Sequence, residues 1–166
     1  VTFYKTKTMD WYVLYTSARA EKRVEERLNQ IGIECYLPLH KVKRRWSDRM
    51  KLVELPLFNS YIFVNCQEHK LRELLTIYGV ARIVYYLGRP AKVRHEEIEA
   101  IKEFLVIAEN RELITHGDEV EIICGPFEKR SGKVMEVGDR YAKLYLEEIG
   151  AKICVSLLEI NKKREA

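Results

Sequence analysis

The chain has 166 residues, 47% of them hydrophobic and 33% charged, which is enough for one good core or for a moderate core plus a small barrel. No apolar run approaches the roughly 18–20 residues that a membrane span needs, and no signal peptide opens the chain, so a cytoplasmic protein without membrane contact is expected. The net charge of +4 is uneven: residues 1–107 carry 19 Lys and Arg against 13 Asp and Glu, whereas residues 108–166 carry 10 against 12.

Met9 can serve as a start, which makes residues 1–8 a candidate leader. Trp11–Thr16 reads as a central strand with both faces apolar. Ser17 then offers an N-cap hydroxyl to a helix over Ala18–Gln30, whose inward stripe is Ala20, Val24, Leu28 and Ile31 and whose end is Gly32. Cys35–Val42 is extended, Lys43–Met50 is a charged loop, and Lys51–Leu55 returns as a strand, so the three form a long hairpin. Tyr61–Val64 is the next strand, Lys70–Ile77 a short helix closed by Gly79, and Val80–Tyr86 a strand ended at Gly88-Arg89-Pro90. Glu96–Val106 is a helix with Ile98, Ile101 and Leu105 inward and two glutamates suiting its N-terminal dipole.

Residues 108–116, rich in charge and without a clear period, read as a linker. From Gly117 the period is two: Ala142, Leu144 and Leu146 alternate with polar neighbours, as do Ile153, Val155 and Leu157. Short strands punctuated by glycine predict a small closed barrel. The fold class is therefore α+β: an antiparallel sheet packed with helices over 9–107, then a β-barrel module over 117–161. The basic tail Lys162-Lys163-Arg164 is expected to fray.

Catalysis finds no footing. His40, His69, His95 and His116 show no metal or triad spacing, and Ser131-Gly132-Lys133-Val134 lacks the earlier Gly and the final Ser/Thr of a phosphate loop. The four cysteines, Cys35, Cys66, Cys124 and Cys154, are isolated, which argues against a metal site and against a disulfide framework. No enzyme, no cofactor and no metal is expected.

Three features point to partners instead. Trp11, Tyr12, Tyr15, Phe58, Tyr61, Phe63, Tyr85 and Tyr86 crowd three strands, more rings than three helices can readily cover. Core and partner surface both fit them. Arg19, Arg23 and Arg27 recur every four residues, either as an ordinary solvated face or as a track along phosphates. The hairpin loop sets Lys43, Arg44, Arg45 and Arg49 around Trp46, a combination suited to stacking on a base or on duplex DNA.

The order of the motifs adds a resemblance. Trp11-Tyr12-Val13-Leu14-Tyr15, then Leu57-Phe58-Asn59-Ser60-Tyr61-Ile62-Phe63-Val64, then Gly117-Asp118-Glu119-Val120 and Gly125-Pro126-Phe127 stand as they do in NusG-type transcription elongation factors. Those factors join a NusG N-terminal domain to an SH3-like KOW barrel. The resemblance spans about residues 11–160, and Leu55-Pro56-Leu57-Phe58 is more like specialised paralogues of the RfaH and UpxY kind. The family commonly has Phe-Pro-Gly-Tyr or Phe-Pro-Asn-Tyr where this chain has Phe58-Asn59-Ser60-Tyr61, so the turn before the strand departs from the pattern.

What the resemblance implies is a monomeric elongation or antitermination factor that suppresses pausing or termination, at specific operons. It implies docking on the clamp helices of the RNA polymerase largest subunit through Tyr15, Phe58, Tyr61, Phe63, Ile83 and Tyr86. Non-template or upstream DNA would lie against the basic helix and hairpin, and a ribosomal protein or termination factor against the KOW rim at Phe127. The rival expectation is a ribosome-associated or general RNA-binding KOW protein, which the acidic back half opposes.

Overall fold

Strict alternation organises the first half of the molecule. In the strand Asp10–Thr16 (β1), Tyr12, Leu14 and Thr16 point to one side of the sheet, and Trp11, Val13 and Tyr15 to the other. The structure, a computed structural model, describes residues 8–163. Residues 1–7 of the candidate leader and Arg164 of the expected basic tail lie outside the described residues. The chain divides after Ile101 into two compact units.

Helix α1 (Glu21–Gln30) starts three residues later than its apolar period suggests. The Ser17 carbonyl, rather than its hydroxyl, closes the preceding turn by accepting from the Ala20 N–H at 3.1 Å, and Arg19 takes a left-handed φ of +61° there. Val24 and Leu28 face inward as expected. Ile31 falls beyond the last helical turn and is exposed; buried Glu21 completes the inner stripe in its place.

After α1 come β2 (Glu34–Tyr36), the paired strands β3 (Leu39–Arg45) and β4 (Met50–Pro56), and β5 (Tyr61–Cys66). A single 3-10 turn leads into the short helix α2 (Leu71–Leu74), followed by β6 (Val80–Ile83). A tight ribbon of β7 (Tyr85–Tyr86) and β8 (Arg89–Pro90) precedes β9 (Lys92–Val93) and helix α3 (His95–Leu113). The sheet has the order β2-β5-β1-β6, antiparallel throughout, with β9 pairing against the start of β1. Its register sets Leu14 opposite Ile62 and Ile83, and Tyr12 opposite Val64. These side chains meet Val24 and Leu28 of α1 and Leu71 and Leu74 of α2 in the main core. Gly79 passes so close to α1 that a Cβ there would stand 2.8 Å from Val24 Cγ2.

The β3–β4 pair belongs to no larger sheet. Its strands run further than expected, since backbone pairing reaches Arg45 and Met50 and leaves a turn of only Trp46–Arg49. Long cationic side chains can stand out from such a ribbon without disturbing its ladder. Helix α3 opens with half of a capping box: the Arg94 N–H donates to Glu97 Oε2 at 2.9 Å, and hydrogen bonds from Arg94 hold the Glu97 carboxyl below its ordinary range. The helix then continues seven residues past its expected end at Val106. The segment expected as a linker is thus helical as far as Leu113.

In the second unit, Ile107 and Ile114 pack on a core of Val120, Ile122, Val134, Leu144, Leu146 and Leu157. Buried Asn110 donates through Nδ2 to the Leu157 and Ile160 carbonyls at 2.6 and 3.1 Å. Around that core run β10 (Glu119–Ile122), β11 (Ser131–Val137), β12 (Tyr141–Leu146), β13 (Ala151–Ser156) and β14 (Ile160–Lys162). Their order is β13-β12-β11-β10-β14, with β13 and β14 at the two ends of the ladder. The fold is the α+β sheet followed by a β module that the sequence predicts.

Candidate functional site

The second face of the first sheet carries the rings. Register places Tyr15 opposite Tyr61, Val13 opposite Phe63, and Tyr36 opposite Phe63 on its other flank. The rings meet in two groups. Tyr15 meets Tyr61 edge-on at 5.3 Å between centroids, Tyr36 stacks on Phe63 at 6.3 Å, and Phe58 meets Phe63 edge-on at 6.2 Å. Arg82, opposite Tyr15 on β6, lays its guanidinium 4.7 Å from the Tyr15 ring centre.

Cover on this face is partial. Ile98 of α3, with Ile101 beside it, packs on Trp11 and Phe63 and buries that corner. Tyr15 and Tyr61 are half-buried, and Phe58 is 40% exposed. Burial pushes the Tyr36 hydroxyl above its ordinary pKa, with the Glu99 carboxylate adding to the shift. Tyr36 and Val13 extend the patch; their alternation with Cys35 and Leu14 is the signal that could have found them.

Six residues were expected on this face, and the structure brings four together: Tyr15, Phe58, Tyr61 and Phe63. Ile83 is on the opposite face, buried in the main core, because it pairs with Leu14 while its neighbour Arg82 pairs with Tyr15. Tyr86 belongs to the β7–β8 ribbon and is 71% exposed, beside Leu87 at the ribbon's tip.

Of the three arginines expected to share a helix face, only Arg23 is exposed on α1 itself. Arg19 lies in the left-handed turn before the helix. Arg27 is tied down, donating to the Tyr78 carbonyl at 2.8 Å with its guanidinium 5.3 Å from that ring's centre.

The hairpin residues stay together. Lys43, Arg44, Arg45, Trp46 and Arg49 are all exposed at the end of the β3–β4 ribbon, and Lys51 Nζ sits 4.4 Å from the Trp46 ring centre. The ribbon is anchored near its base, where Lys22 of α1 donates to the Glu54 carbonyl at 3.3 Å. In the second unit, Phe127 packs against the β core instead of standing free on a rim. Among the described residues no cluster of His, Cys, Asp and Glu could hold a metal ion, and no helix is long and apolar enough to cross a membrane.

Comparison with known proteins gives the class. The family model described as transcription termination factor nusG matches residues 9–102, more than half of the chain. The transcription termination/antitermination protein NusG of Rickettsia typhi is 26% identical over 148 residues, covering 80% of this chain and 77% of the relative. Its namesake from Thermus thermophilus is 22% identical over 160 residues, covering 82% and 87%. A solved structure described as domain interaction in Thermotoga maritima NusG aligns over 95% of this chain and 98% of that one, with 20% identity and a TM-score of 0.41. The chain is a transcription termination/antitermination factor and not an enzyme. It belongs to the NusG family.

Proposed function

We propose that the ring-lined face of the first unit docks on RNA polymerase, on the paired clamp helices of its largest subunit, and that this contact suppresses pausing or termination. The observation that carries the reading is two ring groups on one sheet face, Tyr15–Tyr61 and Phe58–Phe63–Tyr36, in which Phe63 is buried while Tyr15, Tyr61, Phe58 and Tyr36 stay partly exposed, beside a face sealed by two helices. Tyr suits such a place because its ring packs and its hydroxyl stays wet. Aromatic anchors of this kind carry most of the energy in protein interfaces. A factor bound there biases the enzyme towards the closed state it prefers, to the extent of its differential affinity. Replacing Tyr15 and Tyr61 together by Ala should weaken retention of core polymerase by at least about a hundredfold, as two anchors of such size would predict. Retention equal to wild type by a folded double variant rejects the docking face.

The exposed ribbon adds a DNA contact to this reading. Cations flanking an indole at the end of a free hairpin can follow phosphates while the ring stacks. Changing Arg44, Arg45 and Arg49 to Ser should reduce the salt slope of DNA retention by roughly 2–3, near one per lost phosphate contact. An unchanged slope removes the ribbon from the DNA path. Service to particular operons is the finest part of the reading, and the transcripts that change when the chain is deleted test it.

A further inference from the structure

We propose that Glu21 is a positioning residue for the docking face: it locks the Phe58–Tyr61 turn in the shape that presents those two rings. This rests on the docking reading above and assigns its geometry to a residue outside the face.

The turn is strained and is held from two sides. Ser60 has a φ of +68°, the left-handed region that a residue with a Cβ avoids. Its N–H donates to Glu21 Oε1 at 2.8 Å, and its carbonyl accepts from the Thr16 N–H at 2.8 Å. A weaker bond of 3.4 Å, from the Tyr61 N–H to the Phe58 carbonyl, closes the turn itself. The Ser60 peptide is thereby bonded to β1 on one side and to the first turn of α1 on the other.

Glu21 is only 6% exposed. A carboxylate in such a place needs donors, and the acceptor it offers is stronger than a neutral one. With Glu21 gone, the Ser60 N–H loses its acceptor, and the left-handed residue loses the contact that offsets its strain. Phe58 and Tyr61 flank that residue, so relaxation of the turn moves Phe58 off Phe63 and alters the entry of Tyr61 into β5. The face would then have to be ordered at the moment of binding, which lowers affinity.

Two variants of the full chain test this, Glu21→Ala and Glu21→Gln, because Gln keeps a carbonyl acceptor at the same reach. Three quantities are read: amide hydrogen exchange at Ser60, retention of core RNA polymerase, and far-UV circular dichroism as the check of folding. Glu21→Ala should exchange Ser60 about tenfold faster or more, the worth of one hydrogen bond to a charged acceptor. It should also hold polymerase about tenfold less tightly, while Glu21→Gln stays near wild type in both.

Wild-type protection of Ser60 in Glu21→Ala overturns the proposal. So does a Glu21→Gln protein that is folded yet as impaired as Glu21→Ala. If the Ala variant does not fold, Gln decides: protected Ser60 with normal retention supports the clamp, and an unprotected Ser60 refutes it. Fast Ser60 exchange with unchanged retention refutes positioning when the Tyr15 and Tyr61 double variant has lost polymerase. When that double variant has not, the docking reading is what fails.

Discussion

The two faces of the first sheet are made by the same strands, yet one is sealed and the other half-open. Leu14, Ile62 and Val64 are fully buried beneath α1 and α2. One residue along each strand, the first turns of α3 bury Trp11 and Phe63, while Tyr15 and Tyr61 stay half-exposed. The difference in side-chain type follows the difference in cover. The sealed face is dominated by aliphatic groups that fill space with no polar atom to satisfy, and the half-open face uses phenols that tolerate water at one end. A period of two thus separates folding from docking within a single element.

Leu14→Ala strikes the sealed face and should cost about 2–5 kcal/mol of stability, through lost transfer energy and the cavity left behind. Urea unfolding followed by circular dichroism measures it. The Tyr15 and Tyr61 double variant should cost less for each residue changed, about 1 kcal/mol for the shared ring contact plus the partial burial of each half-exposed ring, while losing polymerase retention as described above. A cost per residue as large as that of Leu14 would erase the contrast between the faces.

The thiols give a finer probe. Cys35 and Cys66 lie on the sealed side, where burial pushes both from 9.0 up to about 11; nearby Glu25 and Glu34 add to the Cys35 shift. At pH 8 an alkylating reagent should therefore label exposed Cys124 and Cys154 first. The sign with pH follows from linkage. The folded state keeps these two protons to higher pH than the unfolded chain does, so their contribution is complete below pH 9 and is lost as pH rises towards 11. A urea midpoint that rises across that window in wild type relative to a Cys35→Ser, Cys66→Ser protein contradicts the assignment.

Much of this was legible because it is periodic. The alternation in β1 and β5, the Val24–Leu28 stripe of α1 and the polar–apolar rhythm of β12 and β13 all follow from local geometry. The misses arise where pairing or packing overrides that rhythm. Ile83 sits one residue from Arg82, and only the β1–β6 register says which of them faces the core. Residues 108–113 look like a linker because charge masks the helical period, whereas Asn110 is held by two carbonyls from the far end of the second unit. Phe127 reads as a rim residue until its ring is seen to pack on the second core. Glu21 carries no sequence signal of its own. Its partner, the Ser60 amide, lies 39 residues away, a distance no local pattern spans.

One end of the β module has a consequence for handling the protein at high concentration. β13 closes its ladder with no strand on its outer side among the described residues, and an unpaired strand edge is a template for fibre-like stacking between molecules. Lys152 stands exposed on that strand, with half-covered Ala151 and Ile153 on either side of it. Its ammonium acts as a gatekeeper, setting like charge against like wherever two such edges approach in register.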